Sequence, residues 1–201
     1  MTDTEFQPEF RKWPSIPRLF RGMTITEKID GTNAGIHVSP DGQVVAQSRN
    51  RLISPESDNQ GFARWVADNA EEIAHILGPG LHYGEWWGKG IQRGYGLDHR
   101  VFSLFNTDRF YKAGPDGTDS ISTRAGLSSI AGQIQAVPVL FEGPFHEGGI
   151  TNALISLREG GSAAAEGFMK PEGIVVYHSA SKTLFKVTLD NQDRGKWESA
   201  A

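Results

Sequence analysis

The alternation of apolar and polar residues predicts β-strands near both ends of the chain. Strands are predicted over 23–29, 34–38 and 43–48, and Ser39-Pro40-Asp41-Gly42 between the last two is typical of a hairpin turn. The same reasoning predicts further strands over residues 81–87, 100–106, 137–141, 173–178 and 183–189. The chain is therefore rich in strands, with hairpins predicted at both ends.

Helical spacing of apolar residues predicts three helices between these strands. The clearest helix has its apolar positions between Phe62 and Leu77 and ends at Gly78-Pro79-Gly80. A weaker helix is predicted over 123–135, and a third near 150–159. This mixed order of strands and helices favours an α+β fold over a βαβ arrangement.

Two glycine-containing segments are predicted to be loops. Residues 111–120 combine glycine, proline and aspartate. The stretch from Gly88 to Gly96 is rich in glycine but matches no phosphate-binding loop pattern, and we interpret it as a flexible flap.

Length and composition predict one soluble domain over residues 1–201. The 201 residues are 38% hydrophobic and 22% charged, which suits a single sizeable core. No apolar run approaches the ~20 residues that span a bilayer, and no signal-peptide pattern is present, so no membrane association is expected. The absence of cysteine excludes disulfides and thiolate-bound zinc and fits a cytoplasmic location.

A net charge of −4 means that any contact with nucleic-acid phosphates must be made by local basic patches. One candidate is an N-terminal arm, about residues 5–21, in which cations alternate with aromatic residues and two prolines prevent a long helix. Its cations are Arg11, Lys12, Arg18 and Arg21. Two interpretations are open: an arm packed on the domain, or a basic strip that faces phosphates.

Five charged residues lie inside or beside apolar runs, at the predicted ends of strands. They are Lys28, Arg49, Glu85, Glu172 and Lys186. An unpaired charge in such a place is energetically expensive, so the set predicts a polar cleft built on the sheet ends. Lys28 precedes a predicted turn at Gly31-Thr32-Asn33. For this motif alone, the alternative to a functional lysine is a surface lysine that precedes a hairpin turn.

A lysine in such a cleft can attack phosphorus once it has lost its proton. The unperturbed pKa of a lysine is about 10.4, and nearby positive charge lowers it. A second lysine, Lys186, and a metal ion would both supply that charge. A carboxylate such as Glu172 would hold Mg²⁺, which prefers oxygen ligands and binds phosphates at its remaining positions.

The motifs around these residues resemble those of ATP-dependent polynucleotide ligases, most closely the RNA ligase 2-like family of covalent nucleotidyltransferases. The segment from Glu27 to Asn33 (EKIDGTN) resembles the family's signature. Supporting motifs follow in the family's order: Ser48-Arg49, Tyr83-Gly84-Glu85, Val101 to Asn106, Pro171 to Val176 and Leu184 to Thr188. Together they span residues 24–188, nearly the whole chain.

The resemblance implies a nucleotidyltransferase domain of antiparallel sheets flanked by helices, with a nucleotide cleft between the sheets and no appended OB-type domain. It implies an RNA ligase that joins 5′-phosphate and 3′-hydroxyl ends through a lysyl–AMP intermediate and an adenylylated 5′ end. ATP and Mg²⁺, with Mn²⁺ as a substitute, would be the cofactors. RNA strands would be the partners, with DNA or a nicked duplex as alternatives, and the oligomeric state is not indicated.

The resemblance also implies individual roles. Lys28 would attack the α-phosphorus of ATP, Lys186 would neutralise charge on the α-phosphate, and Glu172 would organise the metal. Glu85 would accept hydrogen bonds from the ribose, while Phe105 would stack on adenine, with Phe102 on the opposite strand face as the alternative. The implied nucleotide-binding set is completed by Glu27, Asn33 and Arg49.

Several alternatives remain at this point. Phe105 as a core residue and Asn33 as a turn residue are the structural alternatives to their binding roles. Thr188 stands where the family's fifth motif usually has a second lysine. A minimal DNA ligase, or a binding module that keeps the fold without completing turnover, are the functional alternatives.

Overall fold

The computed structural model describes residues 9–110, 121–126 and 128–190, which form two β-sheets with helices packed on them. The strands are β1 (Gly22–Lys28), β2 (Thr32–Val38), β3 (Val44–Ser48), β4 (Leu52–Ile53), β5 (Gly80–Gly88), β6 (Arg100–Leu104), β7 (Ile134–Ala136), β8 (Val139–Pro144), β9 (Gly173–His178) and β10 (Thr183–Thr188). The helices are α1 (Phe62–Asp68), α2 (Ala70–Leu77), α3 (Thr107–Phe110), α4 (Ile121–Gly126) and α5 (Glu147–Gly160), with a 3₁₀ turn at Pro55–Ser57. The predicted loop at 111–120 lies outside the described residues.

The α+β prediction is confirmed by the sheet topology. One sheet has four strands in the order β10-β9-β1-β8, and the other has six in the order β4-β3-β2-β5-β6-β7. Neighbouring strands run antiparallel except for the parallel pair β6 and β7. The hairpin predicted at Ser39 to Gly42 is also confirmed, since Val38 pairs with Val44 across it. No OB-type domain is present among the described residues.

Each sheet buries its outer face under helices, which leaves the two inner faces to form a cleft. On the six-stranded sheet, α1 and α2 contribute Phe62, Val66, Ile73, Ile76 and Leu77 to a core with Ile36, Trp86 and Phe102. On the four-stranded sheet, α5 contributes Ala153 and Leu157 to a core with Met23, Ile25 and Val176. A smaller third core joins the sheets and includes Ile29, Trp87 and Tyr95. No described helix is both long and apolar enough to cross a membrane.

Two helix predictions were wrong in part. The single helix predicted between Phe62 and Leu77 is two helices, because Asn69 leaves helical geometry (φ −124°, ψ 24°) and ends α1 before α2 begins. The helix predicted over 123–135 ends at Gly126, and Ile134–Ala136 is instead strand β7. Pairing of Ile134 with Phe102 at the edge of the sheet outweighs the weak local helix signal there.

The predicted Gly31-Thr32-Asn33 turn is also wrong, because Thr32 and Asn33 are the first residues of β2. The short link 29–31 carries the chain from the four-stranded sheet to the six-stranded sheet, and Lys28 is the last residue before it. A Cβ at Gly31 would lie 2.5 Å from the carbonyl oxygen of Trp86, so only glycine allows the link to pass this close to β5. Lys28 is thereby placed where the two sheets meet.

Candidate functional site

A cavity of about 560 Å³ lies between the inner faces of the two sheets. Side chains of β-strands alternate between faces, so every second residue of a strand can contribute to its lining. The four-stranded sheet contributes Thr24, Thr26, Lys28, Val175, Tyr177 and Leu184. The six-stranded sheet and the segment after it contribute Asn33, Leu81, Tyr83, Glu85 and Phe105 to Phe110. A cleft is therefore present at the junction of the sheets, but of the five charged residues expected to form it only Lys28 and Glu85 are among the described lining residues, and much of the rest of the lining is apolar.

Lys28 and Glu172 form an ion pair at the edge of this cavity. Lys28 Nζ lies 2.5 Å from Glu172 Oε2, and both side chains are mostly buried. Lys28 is paired with Gly173 across β1 and β9, which brings the preceding Glu172 beside it. Gly173 has a φ of +155°, and a Cβ there would lie 2.1 Å from the carbonyl oxygen of Val187. Only glycine fits this point, so the backbone geometry at Gly173 helps fix Glu172 against Lys28.

Glu85 is a buried carboxylate on the opposite wall, with only 8% of its surface exposed. Asn33 Nδ2 donates to Glu85 Oε2 at 2.9 Å, and the backbone N–H of Gly31 donates to Oε1 at 3.1 Å. Burial raises the pKa of Glu85 to about 7, although the charge of Lys28 and these hydrogen bonds act to lower it. Glu85 therefore titrates near neutral pH and is available to accept hydrogen bonds when ionised. Asn33 is a strand residue that orients this carboxylate.

Glu27 was predicted to bind the nucleotide, but its carboxylate points away from the other predicted nucleotide-binding residues. Glu27 borders the cavity, but strand alternation turns its side chain away from Lys28. It accepts hydrogen bonds from Ser162 Oγ at 2.7 Å and from the N–H groups of Ala163 and Ala164 at 2.7 and 2.9 Å. Burial raises the pKa of Glu27, and these hydrogen bonds act in the opposite direction. These hydrogen bonds hold the segment after α5 against β1, on the face opposite to Lys28.

The two candidate aromatic residues have different environments. Phe102 is fully buried and packs against Phe62, with ring centroids 5.2 Å apart. Phe105 lines the cavity and is 44% exposed, and its backbone N–H donates to the carbonyl oxygen of Tyr83 on the neighbouring strand. Phe105 is therefore the candidate that faces the cavity, and Phe102 is the core residue.

Several cavity residues were not among the predicted site residues, and strand alternation could have indicated three that would face a bound ligand from opposite walls. Tyr83 lies beside Phe105 on one wall, while Val175 and Tyr177 lie on the opposite wall. Val175 and Tyr177 pair with Thr26 and Thr24 of β1, two and four residues before Lys28, so all four side chains share its face. A flat ligand in the cavity would thus meet apolar side chains from both sheets.

Lys186 and Arg49 lie at the margin of the site. Lys186 pairs with Val175, which puts it on the cavity face of β10, and its side chain is exposed. Arg49 directly follows β3 and is also exposed. Neither is among the described residues that line the cavity. Both remain candidates for contact with a ligand that extends out of it.

The described part of the N-terminal arm, residues 9–21, contains neither helix nor strand and is exposed. It is attached at its C-terminal end, where His178 Nε2 lies 2.7 Å from the carbonyl oxygen of Leu19 and the Phe145 N–H donates to that of Arg21. Its side chains project into solvent, with Phe10 90% and Trp13 86% exposed. The interpretation as an arm packed along the domain is therefore wrong for these residues.

Comparison with known proteins identifies the family. The RNA ligase family model matches residues 22–188 of the chain. Two alanine variants of Naegleria gruberi RNA ligase, both solved with ATP and Mn, superpose with TM-scores of 0.57 and 0.56 at 19% identity, covering 85% of this chain and 50% of that chain. A third variant, solved with AMP and Mn, gives a TM-score of 0.56 at 19% identity over 86% of this chain and 51% of that chain.

At this level of identity the superposition shows a shared fold, and this chain spans about half the length of those ligases. A search of curated protein sequences finds no significant match. The family model covers most of the chain, including the residues that form the cavity, from β1 to the end of β10. The chain therefore belongs to the RNA ligase family.

Proposed function

We propose that this protein is an ATP-dependent RNA ligase that first transfers AMP to its own Lys28. The observation that carries the proposal is the pairing of Lys28 with Glu172 at the edge of a cavity that also holds Glu85 and Phe105. A nucleophile, two carboxylates and an exposed aromatic ring are thus brought together from four separate strands or strand ends. The cavity volume lies within the ~300–1,000 Å³ that is usual for small-molecule sites.

The cavity walls offer complementary surfaces to a nucleotide. Phe105 and Tyr83 on one side, and Val175 and Tyr177 on the other, provide flat and apolar surface for the base. Stacking of a base on an aromatic side chain is worth ~1–3 kcal/mol. Glu85, oriented by Asn33, is an acceptor for ribose hydroxyl groups. In this arrangement the α-phosphate lies towards Lys28.

In the proposed reaction, Lys28 Nζ forms a bond to the α-phosphorus, and the bond from that phosphorus to the bridging oxygen of the β-phosphate breaks. Pyrophosphate leaves, and AMP stays on the lysine. AMP then passes to the 5′-phosphate of a strand, and a 3′-hydroxyl displaces it to form the phosphodiester. An ammonium is not a nucleophile, so Lys28 must leave Glu172 and give up a proton to solvent before attack. Lys186 and Arg49 supply positive charge to the phosphates from the margin of the site.

A divalent metal fits this site through Glu172. Mg²⁺ usually keeps several waters and binds through one or two carboxylates together with substrate phosphates. The described residues contain no cluster of three or more His, Cys, Asp or Glu side chains suited to a metal, which agrees with a site completed by the nucleotide. A bound Mg²⁺ or Mn²⁺ would supply positive charge that offsets the charge of the phosphates. Glu172 is the residue that would hold it.

We infer that RNA strands are bound partly by the N-terminal arm. Arg11, Lys12, Arg18 and Arg21 are exposed, and their positions among exposed aromatic residues suit a single strand, whose phosphates and unpaired bases are both accessible. The overall charge of −4 makes such a local basic segment necessary. A cytoplasmic location is proposed on the absence of cysteine.

The proposed function is tested by incubation with α-labelled ATP and Mg²⁺, followed by denaturing electrophoresis and a ligation assay. We expect a covalent label on the protein and the joining of 5′-phosphorylated RNA strands. Nucleotide binding without a label would indicate a module that keeps the fold but not the turnover. A label with joining of DNA nicks alone would indicate a minimal DNA ligase.

A further inference from the structure

We propose that Arg93 is a positioning residue that holds Lys28 and Glu172 in the geometry required for nucleotidyl transfer, an inference that rests on the proposed function. Arg93 lies in the glycine-rich loop between β5 and β6. Its Nε donates to Asp30 Oδ2 at 2.9 Å, and one of its terminal nitrogens donates to Asp190. The other donates to the carbonyl oxygens of Lys170 at 3.1 Å and Pro171 at 3.5 Å.

Each of these contacts lies next to a residue of the candidate site. Asp30 is two residues after Lys28, and Lys170 and Pro171 directly precede Glu172. Asp190 is two residues after Thr188, the end of the strand that carries Lys186. The Arg93 guanidinium therefore contacts three segments: the one that follows Lys28, the one that precedes Glu172 and the one that follows strand β10.

The loop that presents Arg93 is anchored, so its interpretation as a flexible flap is wrong. Ile91 and Tyr95 are almost fully buried, and the Tyr95 hydroxyl accepts a hydrogen bond at 2.9 Å from the backbone N–H of Asp30. Gln92 and Tyr95 have φ values of 45° and 52°, which are unusual for residues other than glycine. Backbone strain of this kind persists only where the surrounding structure enforces it. The loop is thus a rigid support for the Arg93 side chain.

Arginine is suited to this role for a geometric reason. Its planar guanidinium presents five N–H donors in fixed directions, whereas a lysine ammonium is a compact charge on a flexible stem. The Arg93 side chain is 23% exposed, so its contacts are only partly screened by solvent. Loss of the guanidinium would leave Asp30 and Asp190 without their shared cation. The segments on either side of the Lys28–Glu172 pair would then be free to separate.

The test compares Arg93→Ala and Arg93→Lys with a matched control, Arg100→Ala. Arg100 also spans loops, donating to the carbonyl oxygens of Lys89 and Gln60, but it touches none of the segments that flank Lys28 or Glu172. Self-adenylylation is measured in single turnover over a range of ATP concentrations. A displacement of about 1 Å at reacting groups can cost ~10²-fold in rate. We expect Arg93→Ala to lose about that factor at saturating ATP, with the half-saturating ATP concentration changed by less than about threefold.

Arg93→Lys should have a rate between those of Arg93→Ala and the wild type. The adenylylation rate of Arg100→Ala should stay within about threefold of the wild-type rate, even when this substitution lowers the melting temperature as much as Arg93→Ala does. Asp190→Asn, which keeps the side-chain shape, provides a milder variant if Arg93→Ala does not fold, and a rate loss in it is expected as well. Equal losses in Arg93→Ala and Arg100→Ala, or a loss confined to ATP affinity, would overturn the positioning role.

A second readout does not depend on ligase activity. Acetylation of Lys28 by acetic anhydride, followed by mass spectrometry, reports how well the lysine is held by Glu172. Acetylation should be several-fold faster in Arg93→Ala and unchanged in Arg100→Ala, because only the former releases the pair. Unchanged acetylation in both variants contradicts the proposal. If the wild type takes no label but acetylation of Lys28 is still faster in Arg93→Ala than in Arg100→Ala, the proposed function is refuted while the role of Arg93 in holding the pair is supported.

Discussion

The amine of Lys28 lies 2.5 Å from Oε2 of Glu172, and this pair joins the last residue of β1 to the residue just before β9. Adjacent strands of one sheet therefore carry the proposed nucleophile and the proposed metal ligand. A lysine ammonium cannot attack phosphorus, so Lys28 must leave this ion pair and lose a proton before it reacts. Without a nucleotide, the geometry thus describes a resting site, in which Glu172 must exchange its partner before reaction.

Glu172→Gln should separate catalysis from stability. The two side chains are only 25% and 16% exposed, so removing one partner leaves the other charge largely buried and uncompensated. We expect the free energy of unfolding to fall by about 1–3 kcal/mol. Removal of a group that organises transition-state charge typically costs ~10²–10³-fold in rate, and we expect such a loss in single-turnover adenylylation. Adenylylation at the wild-type rate would show that Glu172 has no catalytic role.

The fifth motif gives a second prediction. Lys186 and Thr188 pair with Val175 and Gly173, so both are on the face of the sheet that carries Lys28. Lys186→Ala should be as damaging to self-adenylylation as the loss of Lys28, because no second lysine follows it in this motif. Thr188→Ala should cost less than about tenfold, and Thr188→Lys should leave the rate unchanged or raise it.

Lys182→Ala is the matched control for these variants, since Lys182 is an exposed lysine in the turn between β9 and β10. Its adenylylation rate should equal that of the wild type. Near-normal labelling by Lys186→Ala, or a collapse of labelling in Thr188→Ala, would mean that the fifth motif has been assigned to the wrong residues.

Glu85 predicts a pH dependence of nucleoside binding. Its pKa is raised to about 7 by burial, and ribose hydroxyl groups donate best to the ionised carboxylate. The affinity for adenosine, which does not itself titrate near neutrality, should therefore rise as the pH passes from 6 to 8. Glu85→Gln should bind more weakly and show no such rise in a calorimetric or fluorescence titration. A flat profile for the wild type would remove Glu85 from the ribose site.

The same raised pKa has a consequence for folding. Because the folded-state pKa of Glu85 lies above the ordinary glutamate value of 4.5, its contribution to stability is fully present below pH 4.5 and is lost as the pH rises through about 7. The stability of the wild type relative to Glu85→Gln should fall across this window, by at most about 3 kcal/mol. Denaturant unfolding at pH 4.5 and at pH 8 measures the difference, and the opposite sign would contradict the assignment.

The N-terminal arm predicts that strand binding and adenylylation are separable. Replacement by glutamine of Arg11, Lys12, Arg18 and Arg21 should weaken binding to single-stranded RNA. The plot of the logarithm of the association constant against the logarithm of the salt concentration should become less steep, by up to about 3. Self-adenylylation should be unchanged, because the arm does not line the cavity. A variant with Arg64, Arg158 and Lys182 replaced, all exposed elsewhere, serves as the control. Equal losses in both variants would point to a diffuse electrostatic effect.

Much of the site could be predicted from the sequence because its residues occupy strand ends. Lys28, Glu85 and Glu172 interrupt apolar runs, and each is found at the junction of the two sheets. The strands were likewise predictable from alternation, and Phe105 is the cavity residue rather than Phe102. That the whole chain acts as one domain stays a prediction.

What the sequence did not indicate depends on contacts between distant segments. The break at Asn69 and the strand β7 are set by packing on the six-stranded sheet, which outweighs local propensity. Arg93 hydrogen-bonds to residues as far as 97 positions away in the sequence, and no local sequence pattern predicts these contacts. Glu27 was predicted to bind the nucleotide because it lies in the signature motif. It is, however, adjacent to Lys28 in a strand, so the two side chains lie on opposite faces.

In the proposed reaction, Lys28 becomes covalently bonded to AMP. The most direct measurement is mass spectrometry of peptides from protein incubated with ATP and Mg²⁺, compared with Lys28→Ala treated in the same way. We expect AMP on the peptide that contains Lys28 and on no other, and no adduct on the alanine variant. The variant should remain folded with a lowered melting temperature, because Glu172 loses its partner in a mostly buried position. AMP on a different lysine, or an adduct that persists in Lys28→Ala, would contradict the account.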